Sequence, residues 1–261
     1  LMYSSAIYPS EATSLDEAAV HKLDTICRKL GLQPDDEVME IGTGWGGFAI
    51  HAAKHFGCRV TTTTISQEQL DLARERVKAE GLEDRITLLF DDYRDLEGQF
   101  DKLVSIEMIE AVGPQFLDSY FSQISRLLKP TGQALVQAIT MPEQRYERAL
   151  KNVDFIQRFI FPGSFIPSFG AILSSVRTDS DLVMTHSEDI GFHYARTLRD
   201  WCERFMANRD ALTEAGYDAA FQRLWQFYFA YCEAGFSERA IGVSQIVFAK
   251  PGNQSASILS V

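Results

Sequence analysis

Glu40-Ile41-Gly42-Thr43-Gly44-Trp45-Gly46-Gly47 decides how this chain is read. The stretch follows a short apolar run, Val38 to Ile41, and opens a helical pattern that runs to Phe56. A strand, a glycine turn and a helix in that order let a ligand approach the backbone closely. Gly42, Gly44 and Gly47 also satisfy the dinucleotide pattern G-x-G-x-x-G, which taken alone is a weak signal. Two features separate the readings. Glu40 would repel a pyrophosphate, whereas a carboxylate there suits the ammonium group in the methionine portion of S-adenosylmethionine. A dinucleotide site also expects an acidic residue about 20 positions further on, and the second strand here ends in Thr61 to Thr64. A nicotinamide cofactor is therefore disfavoured.

Working outward, Ser14 and Glu17 form a capping box before a helix to about Leu30, with Gly31 as its stop. Strands are expected at Val38 to Ile41, Arg59 to Thr64, Ile86 to Phe90, Lys102 to Ile106 and Ala134 to Ile139. Helices at Ser66 to Glu80 and Gln115 to Leu128 lie between them. This alternation predicts a mostly parallel sheet with helices on both faces. From Glu143 to Ser175 the rhythm breaks into an Arg-rich helical piece and an aromatic, proline-bearing loop, read as an insertion or lid over about 143–178. Two helices near Thr197 to Ala215 and Asp218 to Ala234 then separate the last two strands, Leu182 to Ser187 and Ile241 to Lys250. One catalytic domain over 1–250 and a disordered tail over 251–261 are expected.

With 46% hydrophobic and 23% charged residues, 261 residues can bury a sizeable core. The net charge of −11 opposes nucleic acid and any global attraction to an anionic membrane, so membrane contact must be local. Cys27, Cys58, Cys202 and Cys232 are far apart without a CxxC pair, as expected of reduced cytoplasmic thiols. No stretch reads as a signal peptide or a transmembrane helix. His51 and His55 have the spacing of a metal pair but no acidic or cysteine partner, so no metal is expected.

Beyond the glycine turn, the sequence resembles the cyclopropane fatty acid synthase and mycolic acid methyltransferase family over nearly its whole length. The strings that carry the resemblance are Tyr3-Ser4-Ser5-Ala6, the turn with Trp45, Thr64-Ile65-Ser66-Gln67-Glu68-Gln69, Asp92-Tyr93-Arg94, Ser105 to Gly113, Ile160-Phe161-Pro162-Gly163, His193 to Leu198, and Tyr231-Cys232-Glu233. It implies a class I, Rossmann-like methyltransferase fold: seven strands, mostly parallel with an antiparallel last strand, plus a lipid-pocket insertion. Since a family motif already begins at Tyr3, the chain is expected to continue upstream of Leu1.

The resemblance also implies a site. Tyr3, Ser4, Glu40, Gly42, Thr43, Gly44, Trp45, Gly46, Thr64, Ile65, Ser66, Gln69, Tyr93 and Arg94 would surround S-adenosylmethionine. Gln69 and Thr64 can supply ribose hydrogen bonds, and Tyr93 can stack on adenine. A bicarbonate ion is a candidate second cofactor, with Glu110, Tyr194 and Ile106 matching three family positions around it. Ser5 stands where Cys is usual, and Gln137 where His is usual; an amide can donate a hydrogen bond but cannot titrate. Cys232 matches another family position and reads as a buried structural thiol, since methyl transfer to an alkene needs no thiolate.

An alkene is a poor nucleophile, so such a site must align it and exclude water while a cation develops. Phe155, Phe159, Phe161, Phe165, Phe169, Trp225, Phe227, Tyr228 and Phe229 offer apolar lining. Bicarbonate, oriented by Glu110 and Tyr194, would then remove a proton so that a cyclopropane ring closes. Arg145, Arg148, Lys151 and Arg158 either form a plain solvated helix face or dock anionic headgroups of a phospholipid whose unsaturated acyl chain is the substrate, at the inner face of the membrane. Other readings stay open: a methyl-branched or methylene product if Gln137 weakens bicarbonate binding, a lipid-binding pseudoenzyme, and a methyltransferase acting on oxygen or nitrogen of small molecules. The oligomeric state is also open, a homodimer being one candidate.

Overall fold

Ser14 and Glu17 exchange both bonds of the capping box, and α1 (Leu15–Leu30) stops at Gly31, whose φ of 59° no β-carbon has to share. The computed structural model describes residues 1–255 and 258. Strands and helices then alternate through β1 (Glu37–Ile41), α2 (Gly47–Phe56), β2 (Arg59–Thr63), α3 (Gln67–Ala79), β3 (Ile86–Leu89), β4 (Phe100–Ile106), α4 (Leu117–Leu127) and β5 (Leu128–Thr140). Three helices follow: α5 (Glu143–Ala149), α6 (Phe155–Phe159) and α7 (Phe169–Asp179). Next come β6 (Val183–Asp189), α8 (Gly191–Ala207), α9 (Arg209–Glu214), α10 (Ala219–Ser237) and β7 (Gly242–Ala249).

The seven strands lie in the order β3-β2-β1-β4-β5-β7-β6, and β7 runs antiparallel to both neighbours. Successive strand residues serve opposite faces. Met39, Leu103, Val136 and Ile246 pack against α4 and α7, while Val38, Val104, Leu135 and Val247 pack against α1 and α2. β1 has β2 on one side and β4 on the other, so the crevice for a ligand falls at the carboxyl ends of β1 and β4. A third cluster joins Tyr194, Tyr228, Phe229 and Phe236 from α8 and α10 with Phe155 and Ile156 of α6.

Three sequence expectations differ. The insertion is not all lid: Ile172 and Val176, one turn apart on α7, are buried in the main core beside α4. The helix expected from Thr197 to Ala215 is two helices broken at Asn208, and α8 starts earlier, at Gly191, whose N–H donates to Asp189 Oδ1 (2.7 Å). Of the tail expected to be disordered, 251–255 fold back, with Asn253 Nδ2 donating to the Thr131 carbonyl (2.6 Å). Residues 256, 257 and 259–261 lie outside the described residues. Among the described residues no helix is long and apolar enough to cross a membrane.

Candidate active site

At the end of β1, Glu40 is only 2% exposed and accepts a hydrogen bond from Thr62 Oγ1 (2.7 Å) on the neighbouring strand. Burial pushes its carboxyl up to about 8, against the lowering effects of Thr62 and of Lys22. The turn that follows has Gly42, Gly44 and Gly46 at φ of 102°, 51° and 80°, where side chains are strained. Tyr3 lies over Gly44, and its hydroxyl accepts from Gln69 Nε2 (3.0 Å), while Gln69 Oε1 accepts from Thr64 Oγ1 (2.8 Å). One cavity is lined by Ser4, Lys22, Glu40, the turn with Thr43 and Trp45, and Ile106. That arrangement can hold a small zwitterion with its ammonium at Glu40. Lys22, which the sequence reading overlooked, is buried, donates to Ser4 Oγ (2.8 Å) and is lowered to about 8 by burial.

Other expected cofactor residues sit further out. Ser66 caps α3 by accepting from Gln69 N–H (3.3 Å), and Ile65 is exposed. Arg94 is held on the surface by both carboxylate oxygens of Asp92 (2.9 and 2.7 Å). Tyr93 packs edge-on against Tyr120.

The second half of the site gathers around a residue absent from the sequence-derived set. Glu107, the first residue after β4, has φ of 49°, and its N–H donates to the Gln137 carbonyl (2.8 Å). Its Oε1 accepts from the Ser5 N–H (2.9 Å) and from Gln137 Nε2 (2.7 Å), and its Oε2 accepts from the Tyr194 hydroxyl (2.8 Å). Burial raises its carboxyl above the usual range, and these donors and Lys22 oppose the rise. Gln137 is fully buried on β5, and its Oε1 accepts from Gln245 Nε2 (3.0 Å); Gln245 Oε1 accepts from Lys29 Nζ (2.7 Å). Lysine has donors only, so it fixes both amides: each oxygen faces Lys29 and each nitrogen faces Glu107.

Glu110 turns elsewhere. Its Oε1 accepts from the Ile139 N–H (2.6 Å), and its buried Oε2 has no hydrogen-bond partner among the described residues. Burial, with the neighbouring Glu107 carboxylate, pushes it up to about 8. Its backbone carbonyl accepts from the Phe165 N–H (2.9 Å), tying the insertion to the sheet end. Tyr194 stacks on Phe236 with ring centroids 4.5 Å apart, and burial raises its hydroxyl well above the ordinary tyrosine value. Cys232 lies half-buried in the same aromatic cluster, its thiol pushed up to about 12 by burial, which leaves it a thiol rather than a thiolate.

The family model described as "Mycolic acid cyclopropane synthetase" matches residues 1–246. The chain belongs to this cyclopropane synthetase family. It is 40% identical over 97% of its length to tuberculostearic acid methyltransferase UfaA1 of Mycobacterium tuberculosis, and 38% identical over 95% to cyclopropane-fatty-acyl-phospholipid synthase of Escherichia coli. It spans 60% and 62% of the lengths of these two relatives. The solved structure of cyclopropane synthase MmaA2 from Mycobacterium tuberculosis superimposes with a TM-score of 0.87 at 25% identity, covering 95% of this chain and 90% of that one. Mycolic acid cyclopropane synthase CmaA1, complexed with SAH and CTAB, gives the same TM-score at 27% identity and the same coverage. The fold is that of class I S-adenosylmethionine-dependent methyltransferases.

Family membership brings bicarbonate into question here. Three donors at positions that the resemblance assigns to the ion, where the family uses the backbone of a Cys, a His and a Tyr hydroxyl, are here the Ser5 N–H, Gln137 Nε2 and the Tyr194 hydroxyl, and all are taken by the Glu107 carboxylate. A second anion does not fit that donor set. Ile106 lines the cofactor cavity instead, and the isoleucine that meets a carboxylate is Ile139.

Proposed function

We propose that this chain methylates the cis double bond of an unsaturated acyl chain in a phospholipid, using S-adenosylmethionine, and closes the product to a cyclopropane. One observation carries the reading: consecutive residues join the two halves of the site. Ile106 lines the cavity of Glu40 and the glycine turn, and Glu107 bonds Tyr194, which is packed into the aromatic cluster of α8 and α10. Bound with its ammonium at Glu40, S-adenosylmethionine would supply an electrophilic methyl group. Phe155, Trp225, Tyr228 and Phe229 give the water-poor surroundings that an alkene and a developing cation need. Phe165 and Phe169 pack against the sheet core instead.

Membrane contact is part of the same reading. Phe159, Phe161 and Phe227 are each about half exposed, next to the segment carrying Arg145, Arg148, Lys151 and Arg158. Such a surface suits an enzyme working from the cytoplasmic side of a membrane. A second reading is methylation of the same double bond without ring closure; the relative UfaA1 is named a methyltransferase rather than a cyclopropane synthase.

The test is transfer of label from methyl-labelled S-adenosylmethionine to vesicles of unsaturated phospholipid, with the methylated chain fragmented by mass spectrometry. A cyclopropane is expected, and saturated vesicles should stay unlabelled. A branched or methylene chain would establish the second reading. Label absent from every lipid, or found only in a panel of phenols and amines, defeats both.

A further inference from the structure

Glu107 combines three features that a structural carboxylate does not need together. Its backbone is held at φ of 49°, a conformation that costs a side-chain-bearing residue energy and is retained where the surroundings require it. Its two oxygens receive three hydrogen bonds, from Ser5, Gln137 and Tyr194. An ionised carboxylate offers about four lone-pair positions, so one acceptor position stays open. The donors, moreover, are those that the family resemblance gives to bicarbonate.

The surroundings also set which acid of the pair is charged. Glu110 has one buried oxygen with no partner among the described residues and a carboxyl pushed up to about 8, so it is mostly neutral at pH 7. Two neighbouring desolvated carboxylates do not both ionise, and Glu107 is the one with the donors. Lys29, Gln245 and Gln137 form a one-way chain that presents only an N–H to Glu107. Histidine at 137 could face a free anion in either protonation state. An amide locked as a donor suits a permanent carboxylate.

We propose that Glu107 is a built-in general base standing in the place of the family's bicarbonate ion, so that this chain closes its ring without that ion. The inference rests on the cyclopropanation reading above. In the balanced step, the alkene π pair forms a C–C bond to the methyl carbon and the sulfonium sulfur keeps the broken C–S pair. A carbocation is left on the other alkene carbon. Glu107 takes a proton from the added methyl group, and the released C–H pair closes the ring. Glu107 ends as the neutral acid and returns its proton to water.

The test compares the wild type with Glu107→Gln and Glu107→Gly in buffer stripped of carbon dioxide, with and without added bicarbonate. Wild-type labelling of unsaturated vesicles should be the same in both buffers. Glu107→Gln keeps the shape and loses the base. It should bind S-adenosylhomocysteine normally by calorimetry, turn over about 100-fold or more slowly, and gain nothing from bicarbonate because the amide still fills the site. Glu107→Gly vacates the donors and relieves the backbone, so bicarbonate should restore part of its rate. Carbon-13 bicarbonate followed by NMR should bind Glu107→Gly and not the wild type. Wild type that binds the labelled ion or slows without it overturns the proposal, as does Glu107→Gln at the wild-type rate. If the wild type methylates no lipid, the cyclopropanation reading fails, and the binding arm still decides whether Glu107 occupies the ion's place.

Discussion

Replacing Glu40 by Gln tests the assignment of the glycine-turn cavity. The amide retains the size of the side chain and a carbonyl for the Thr62 hydroxyl, but it cannot pair with an ammonium group. Losing a charge-assisted bond in a buried site costs about 1.5–3 kcal/mol, a ~10- to ~150-fold rise in Kd for S-adenosylhomocysteine. The pH dependence is more diagnostic. With its carboxyl pushed up to about 8, free Glu40 holds a proton at neutral pH and must release it to meet the ligand. Affinity should therefore rise about tenfold per unit between roughly pH 6 and 7.5, below the range where the ligand's own amine titrates. Lys22 lines the same cavity and is lowered to about 8, so the slope could have two sources. Titration calorimetry in two buffers of different ionisation enthalpy counts the released protons, and Glu40→Gln separates the sources. A wild-type affinity that is flat with pH, or a slope that survives in Glu40→Gln, refutes the argument.

Glu110 gives the companion result without ligand. Its folded pKa of about 8 exceeds its reference value of 4.5, so the stability it contributes is complete below about pH 4.5 and lost as pH rises through about 8. Urea midpoints measured across that window should fall in the wild type and fall less in Glu110→Gln. Gly46→Ala places a methyl at φ of 80° and 3.3 Å from the Ala73 Cβ, and should cost about 1–3 kcal/mol in the same assay. Reversing Arg145, Arg148, Lys151 and Arg158 to Glu should weaken binding to anionic vesicles, most at low salt; unchanged sedimentation with vesicles would remove the membrane-docking surface from the reading.

The sheet was largely legible because each strand carries its own local signal. Val38 to Ile41 and Lys102 to Ile106 are apolar runs bounded by turn residues, and the structure places β1 and β4 over them. β5 begins earlier than expected because Lys129-Pro130-Thr131-Gly132 reads as a turn, whereas the strand passes through it with a register shift opposite Phe100 and Lys102. Pro130 donates no bond and is tolerated at such an irregularity. Glu107 escaped for a different reason. It lies within Ser105 to Gly113, but nothing local distinguishes it from Glu110, three residues on. What does is the β4–β5 register, which sets Ile106 opposite Gln137, and the arrival of Ser5 and Tyr194 from distant segments on either side of it in the sequence. The Lys29–Gln245–Gln137 relay spans three elements and is equally invisible to spacing.

Ser5 joins the base through its backbone, while the Ala6 and Tyr8 amides are received by Thr197 and His193. Deleting Tyr3 to Ser5 would take away the ring over Gly44 and the N–H at Glu107 together, so donor binding and proton removal would fail as one.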